Sequence, residues 1–343
     1  MRLSGCITAL ATPFTHTGEV DLEAWERLIV AQLDAGIQGL VVAGSTGEAA
    51  ALRRNEFDAI MRSAITLVAG RVPILAGTGR LATASTIEQT QHAAALGADA
   101  ALVVVPPYVR PTQAGMVAHF RAVADDGGLP VVLYNVPGRT GSDLLPASAV
   151  ELVGHERIVG IKEAYAGTER IQAWLALRAP SFAVLSGDDA SACDALCAGA
   201  DAVVSVAANV APDALRRLCD LALAGATQQA RRWDTRLRPL YEFLSLESNP
   251  IPLKALLASL GIGHGLRLPL TNLSPEHCAR IVPLQDQLLT LAHSASGEER
   301  AVKERAVEER AVKERAVEER AVKERAVEKR AVELGSNARR SIV

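Results

Sequence analysis

Lysine is scarce in the first 300 residues of this 343-residue chain, where arginine carries most of the positive charge and only Lys162 and Lys254 occur. Arginine can replace lysine on a solvated surface, but it stays protonated and cannot act as an amine nucleophile. Lys162 ends an apolar run, and an amine that is desolvated at such a position can attack a ketone to form an imine. The distribution marks Lys162 as a candidate nucleophile, with chance retention or a structural ion pair as the alternative.

Hydroxyl and cationic side chains follow other apolar runs. Tyr134 ends one run and Ser45 and Thr46 follow another, so their hydroxyls could relay protons. The glycines of Gly44-Ser45-Thr46-Gly47-Glu48 would let backbone N–H groups approach a carboxylate at a helix N-terminus, although such a pattern is also typical of a simple tight turn. Arg139 could hold a second carboxylate with its two-pronged guanidinium, or lie on the surface.

Eight short apolar runs recur in the first 206 residues, and most are separated by segments of helical character. The runs are 5–11, 38–43, 72–76, 100–105, 130–135, 158–161, 182–186 and 202–206. Near-continuous apolar runs suit parallel strands buried on both faces, and the segments between them suit crossover helices. Eight such units predict an α/β fold, a closed (β/α)8 TIM barrel. A doubly wound sheet is the alternative, but no Gly-x-Gly-x-x-Gly pattern follows the first run.

A barrel of this kind carries its active site at the C-terminal ends of the strands, in the loops that lead into the helices. Lys162 and Tyr134 close predicted strands, and Ser45 and Thr46 follow one. The fold would therefore bring these four side chains to the same mouth of the barrel.

The predicted organisation has three parts. Residues 1–225 form the barrel with the active site, residues 226–293 a C-terminal helical extension, and residues 294–343 a charged low-complexity tail. The tail repeats Ala-Val-Lys-Glu-Arg-Ala-Val-Glu-Glu-Arg with small variations, and this five-residue period gives no continuous apolar stripe on a helix. We expect a solitary solvated helix or a disordered tail that is dispensable, with a docking element as the alternative.

The composition bounds the class of protein. Hydrophobic residues make up 49% and charged residues 22%, and the formal net charge of −3 gives no basic surface for nucleic acid. A basic N-terminal region before an apolar run is missing, as is an apolar stretch of about 18 residues, so neither secretion nor a membrane span is expected. Five scattered cysteines fit reduced thiols in the cytoplasm.

Five motifs, in this order, resemble those of the dihydrodipicolinate synthase and N-acetylneuraminate lyase family of pyruvate-dependent enzymes. They are Gly44-Ser45-Thr46-Gly47-Glu48, Tyr134-Asn135-Val136-Pro137-Gly138-Arg139-Thr140, Gly160-Ile161-Lys162-Glu163, Leu185-Ser186-Gly187-Asp188-Asp189 and Asn249-Pro250-Ile251-Pro252-Leu253-Lys254. The resemblance covers about residues 1–293. It implies that Lys162 forms a Schiff base with pyruvate, and that this covalent imine replaces any metal or organic cofactor.

The resemblance also implies roles for individual residues. Tyr134 would shuttle protons, Thr46 would supply a hydroxyl of the relay, and Tyr108 would be lent to the relay of a neighbouring subunit. Lys254 matches no catalytic role, and we interpret it as structural. The positions that would line the pyruvate pocket are Thr46, Gly187 and Val204.

The choice of second substrate depends mainly on Arg139. In the synthases, an arginine here is expected to bind the carboxylate of L-aspartate 4-semialdehyde, whereas the neuraminate lyases resemble this sequence less at this point. Ser45 points the other way, because synthases typically have threonine there, but serine keeps the catalytic hydroxyl.

The resemblance therefore implies a condensation of pyruvate with L-aspartate 4-semialdehyde, in the diaminopimelate route to lysine. It also implies a cytoplasmic homotetramer built as a dimer of dimers. The alternatives are an N-acetylneuraminate lyase or keto-deoxy sugar-acid aldolase, and a catalytically inactive barrel that serves as a scaffold.

Feedback inhibition by lysine is expected to be weak or absent. Responsive members of the family bind lysine through polar side chains near the second and third βα loops. This chain has other residue types there, namely Arg54, Phe57, Leu81, Ser85 and Pro107.

Overall fold

Eight parallel strands close into a barrel in chain order in the computed structural model, which describes residues 3–165, 167–292 and 294. The strands are β1 (Gly5–Ala9), β2 (Gly39–Val42), β3 (Ile74–Gly77), β4 (Ala100–Val104), β5 (Val131–Asn135), β6 (Ile158–Glu163), β7 (Ala183–Ser186) and β8 (Ala202–Ser205). Pairing of β1 with β8 completes the ring. The predicted (β/α)8 barrel is confirmed, and every predicted strand end lies within two residues of its observed position.

Helices connect the strands and surround them. They are α1 (Leu22–Asp34), α2 (Arg54–Val68), α3 (Thr83–Leu96), α4 (Gln113–Asp126), α5 (Pro137–Thr140), α6 (Pro146–Val153), α7 (Thr168–Leu175), α8 (Asp189–Cys197) and α9 (Pro212–Leu223). The sequence explains where helix α1 begins, because the Asp21 side chain caps its N-terminus by accepting from the Ala24 N–H at 2.9 Å. Its apolar face buries Trp25, Leu28 and Ile29 against the barrel layer.

The C-terminal extension is helical, as predicted. It consists of α10 (Thr227–Leu244), α11 (Ile251–Ser259), α12 (Pro275–Cys278) and the helical residues 281–292. α10 packs against α8 and α9, and α11 packs against α10, so the extension covers one side of the barrel. Within the described segments of the chain, none of the helices has the length and apolar character needed to span a bilayer.

Apolar side chains from alternate strand positions fill the barrel interior. The cluster is built mainly of branched residues, and the largest side chain in it is Tyr134. Because successive residues of a strand point to opposite faces, Tyr134 points inward while its neighbour Asn135 points toward the helices. The same alternation in β6 turns Lys162 inward and Glu163 outward.

Lys254 joins the extension to the loop after β2 through a buried ion pair. Its Nζ lies 2.5 Å from Oε1 of Glu48, and both side chains are almost fully buried. Burial lowers the pKa of Lys254 to about 8, while the Glu48 carboxylate opposes that shift. Glu48 also accepts from the Arg267 N–H at 3.1 Å. The structure thus gives Lys254 a structural role in fixing the loop that carries Ser45 and Thr46.

The chain divides into two units, 1–292 and 293–343. The predicted boundary at residue 225 between barrel and extension stays a prediction. Apart from residue 294, the predicted charged tail of residues 294–343 lies outside the described residues.

Candidate active site

Lys162 lies on β6 with its side chain buried in the mouth of the barrel. Strand register places it beside Tyr134 of β5 and Leu185 of β7. Its Nζ is 4.3 Å from the centre of the Tyr134 ring. The two residues that were predicted to form the imine and move protons are therefore neighbours on adjacent strands, although 28 positions separate them in the sequence.

Gly187 follows β7 and leaves room for the lysine side chain. A Cβ at this position would lie 2.8 Å from Cε of Lys162 and 3.0 Å from the Cβ of Ala164. Real carbon atoms do not approach so closely without displacement, so a side chain here would push Lys162 aside. The Gly187 N–H also donates to the carbonyl oxygen of Glu163 at 2.7 Å, which holds the ends of β6 and β7 together.

Thr46 is buried in the loop after β2, and its hydroxyl accepts from Nδ2 of Asn249 at 3.0 Å. Because the oxygen is the acceptor in this contact, the hydroxyl proton stays available for donation to another group. Asn249 also binds Arg139, whose Nη2 donates to the Asn249 carbonyl oxygen at 3.1 Å. Asn249, a residue of the C-terminal extension, therefore positions both the hydroxyl of Thr46 and the guanidinium of Arg139.

Arg139 is an exposed residue on α5, and its guanidinium forms no ion pair with a carboxylate in the described part of the chain. A guanidinium without an acidic partner at the mouth of a cavity keeps its donors free for a carboxylate or phosphate ligand. Ser45 is exposed beside it in the loop after β2. Both residues therefore lie where a second substrate could enter.

The remaining predicted residues, Tyr108 and Val204, lie outside this cluster. Tyr108 is 86% exposed on the loop after β4, with a left-handed backbone at φ 71°. Val204 is buried in the apolar interior of the barrel, and Val206 lines the cavity at that end of β8 instead. Their predicted roles stay predictions.

A cavity of about 360 Å³ joins these groups. Lys162, Tyr134, Thr46, Ser45, Arg139 and Gly187 all line it, so the structure brings six of the eight predicted residues together. A volume of this size accommodates two small organic acids. A nucleophilic amine, hydroxyl groups and a free guanidinium in one cavity are the groups needed to activate a keto acid and bind a second carboxylate.

Sequence reasoning gave no role to several residues of this cavity. Asn249 belongs to the last of the five motifs, but its hydrogen bond to Thr46 joins residues that are 203 positions apart in the sequence. Asp188 and Glu247 add carboxylates to the lining, and Tyr241 adds a phenol from α10. The Tyr241 hydroxyl is buried, and burial raises its pKa well above the usual value. Only the pattern of the last motif, Asn249-Pro250-Ile251-Pro252, signalled that the extension contributes to the site.

No group of three or more His, Cys, Asp or Glu side chains within residues 3–165, 167–292 and 294 is arranged to hold a metal ion. The expectation that the reaction needs no metal or organic cofactor stays a prediction. The amine of Lys162 is itself the group that could bind a keto acid covalently.

Comparison with known proteins decides the family. A family model described as the Dihydrodipicolinate synthetase family matches residues 2–286. The chain belongs to this family. A 4-hydroxy-tetrahydrodipicolinate synthase from Xanthomonas axonopodis pv. citri (strain 306) is 64% identical over 277 residues, which cover 81% of this chain and 92% of the relative.

Solved structures of dihydrodipicolinate synthases share the fold of this family member. The chloride-inhibited enzyme from Acinetobacter baumannii, solved in complex with pyruvate, is 40% identical and matches with a TM-score of 0.81. The match covers 83% of this chain and 98% of that one. A monomeric dihydrodipicolinate synthase variant matches with the same TM-score at 36% identity, over 83% of this chain and 97% of the variant.

Proposed function

We propose that this protein condenses pyruvate with L-aspartate 4-semialdehyde through a Schiff base on Lys162, giving 4-hydroxy-tetrahydrodipicolinate for the diaminopimelate route to lysine. The observation that carries the proposal is the buried Lys162 beside Tyr134 in a cavity that also presents the free guanidinium of Arg139. The names of the relatives at up to 64% identity favour this reaction over a sugar-acid lyase and over an inactive scaffold.

Imine formation begins when the neutral amine of Lys162 attacks the ketone carbon of pyruvate. The resulting carbinolamine loses water, with Tyr134 donating a proton to the departing hydroxyl. Loss of a proton from the pyruvate methyl group then gives an enamine, because the imine nitrogen accepts the electron pair.

Carbon–carbon bond formation follows when the enamine carbon attacks the aldehyde of the second substrate. The substrate's own amine then attacks the imine carbon, closes the ring and releases the amine of Lys162. Thr46 can pass a proton during these steps, since its hydroxyl accepts from Asn249 and can still donate. No group outside the two substrates and the protein is needed for this sequence.

Arg139 is proposed to bind the carboxylate of L-aspartate 4-semialdehyde. Its guanidinium can make two parallel hydrogen bonds to a carboxylate, and the hydrogen bond from Nη2 to the backbone carbonyl oxygen of Asn249 leaves other donors of the group for that purpose. The carboxylates of Asp188 and Glu247 line the same cavity and suit the ammonium group of this substrate. A polyhydroxylated sugar acid has no such ammonium group, so the charges favour the amino-acid aldehyde.

The assembly is proposed to be a homotetramer built as a dimer of dimers, in which Tyr108 completes the proton relay of a neighbouring subunit. A tyrosine that is 86% exposed next to the exposed Val109 suits burial against a second copy. One of the solved relatives is a monomeric variant, so the number of subunits has to be measured. Analytical ultracentrifugation gives that number, and the activity of Tyr108→Phe tests the role of the tyrosine. We also propose that the enzyme acts in the cytoplasm, in keeping with its five free cysteines.

The decisive experiment is to trap the imine with borohydride in the presence of pyruvate and to locate the adduct by peptide mass. We expect one adduct, on Lys162, and turnover of L-aspartate 4-semialdehyde but not of N-acetylneuraminate, with or without a metal chelator. Arg139→Lys should keep the adduct and lower kcat/KM for the semialdehyde by about 10²-fold, because lysine cannot bind a carboxylate in two-pronged fashion. An adduct elsewhere, or turnover of the sugar acid alone, would overturn the proposal.

A further inference from the structure

Glu163 carries a buried carboxylate directly after the candidate nucleophile. The residue is 1% exposed, and it faces away from the cavity toward α7. An ionised side chain is costly to bury unless hydrogen bonds compensate it. The proposed chemistry gives Glu163 no part in the reaction, so its burial needs another explanation.

Three N–H groups donate to this carboxylate. Oε1 accepts from the Tyr165 backbone N–H at 2.7 Å, and Oε2 accepts from Nε1 of Trp174 at 2.7 Å. Nδ2 of Asn135 lies 3.0 Å from Oε2 and 3.2 Å from Oε1. Every partner is a donor and both oxygens accept, an arrangement that suits the ionised carboxylate, which has no proton to donate. Burial raises the pKa of Glu163, and these donors oppose that shift.

Strand geometry connects this cluster with the reacting groups. Asn135 pairs with Glu163 in the register of β5 and β6, one position beyond the pair of Tyr134 and Lys162. The inner pair faces the cavity, and the outer pair forms the hydrogen bonds just described. A change in the outer pair that twists the strand ends therefore also moves Lys162 relative to Tyr134.

The cluster is anchored on its outer side as well. Asp143 accepts from Nδ2 of Asn135 at 2.8 Å, and it pairs with both terminal nitrogens of Arg170 at 2.9 and 2.7 Å. Oδ1 of Asn135 accepts from the Leu144 N–H at 3.0 Å. The ends of β5 and β6 are thus tied to α7 and to the segment after α5 through buried or half-buried groups.

We propose that Glu163, held by Asn135 and Trp174, is a positioning residue that sets the orientation of Lys162 toward Tyr134 and so controls the rate of imine formation. The inference rests on the proposed Schiff-base function. It adds that the carboxylate behind the strand, which never touches substrate, determines how often the amine reaches an attacking geometry.

Glu163→Gln and Trp174→Phe test this proposal singly and together. The glutamine oxygen should stay with the Tyr165 backbone N–H, which turns its NH2 group toward the N–H of Trp174 and creates a clash between two donors. We expect Glu163→Gln to lower kcat and the rate of borohydride-trapped imine by roughly 10²-fold, and Trp174→Phe by about three- to tenfold. In the glutamine background, Trp174→Phe should instead raise kcat about threefold or more, because it removes the clashing donor.

Trp25→Phe is the matched control. Trp25 is also fully buried, and its Nε1 donates to the Ile60 carbonyl oxygen at 3.2 Å, far from the cluster in the helical layer. Both tryptophan variants should lower the thermal midpoint, but only Trp174→Phe should lower kcat and the trapping rate, with KM for the semialdehyde within about threefold of wild type.

A Trp174→Phe protein with wild-type kcat and trapping rate would overturn the positioning role, whatever its stability. A double variant whose kcat is no higher than that of Glu163→Gln would overturn the assigned hydrogen-bond geometry, and with it the proposal. If Glu163→Gln does not fold, the comparison of kcat and trapping rate between Trp174→Phe and Trp25→Phe is sufficient to test the positioning role. Failure of the proposed function appears differently, as wild-type protein that forms no adduct on Lys162.

Discussion

Replacing Gly187 by alanine tests how tightly the cavity constrains the nucleophile. The added methyl carbon would lie 2.8 Å from Cε and 3.0 Å from Cγ of Lys162, whereas carbon atoms prefer separations of about 3.5 to 4.0 Å. Lys162 must therefore move by roughly 0.7 Å or more, and the added methyl cannot shift toward Ala164, whose Cβ is itself only 3.0 Å from it. A displacement near 1 Å can cost about 10²-fold in rate, so we expect kcat to fall about 10- to 100-fold.

The assay is steady-state condensation together with the rate at which borohydride traps the pyruvate adduct. Both rates should fall in parallel while the protein stays folded, since overpacking by one methyl group costs about 1–3 kcal/mol of unfolding free energy. Gly154→Ala is the control, because an added Cβ there meets nothing within 4 Å and its φ of −81° suits any residue. A Gly187→Ala enzyme with kcat within twofold of wild type would refute this account of the cavity.

Three further predictions concern stability and regulation. Lys254→Met should lower the unfolding free energy in urea by about 3–5 kcal/mol, because it leaves the Glu48 carboxylate buried without its charge partner, and adding Glu48→Gln should recover part of the loss. The hydrogen bonds from Arg267 lower the pKa of Glu56 to about 2, so this pair stabilises the fold above about pH 4.5 and loses its contribution as the pH falls toward 2. Glu56→Gln should flatten the pH dependence of the unfolding free energy in that window, and an unchanged slope would contradict the assignment. L-Lysine should not half-inhibit the purified enzyme at sub-millimolar concentration, because the described residues that line the neighbouring cavity of about 530 Å³, Leu81 and Pro107 among them, include no carboxylate to bind its ammonium group.

The spacing of apolar runs was enough to predict the barrel, because parallel strands buried on both faces need long apolar stretches and each must be followed by a crossover. The positions of Lys162, Tyr134 and Thr46 at or just after strand ends were then sufficient to predict that they lie at the same mouth of the barrel. Arg139 was a candidate carboxylate ligand from its two-pronged guanidinium and from the motif that resembles the family, and its role stays a prediction. These are properties of residue type and period, which a linear sequence expresses directly.

The contacts that orient those side chains depend on the closed barrel and on its extension. Thr46 and Asn249 are 203 positions apart, and Glu48 and Lys254 are 206 apart, so no local pattern indicates their pairing. The room that Gly187 leaves for Lys162 also appears only when β6 and β7 pair in register. The sequence determined which groups can react, because chemistry belongs to residue types. Tertiary structure alone decided their distances and hydrogen bonds, because those arise from strand register and from packing between segments far apart in the chain.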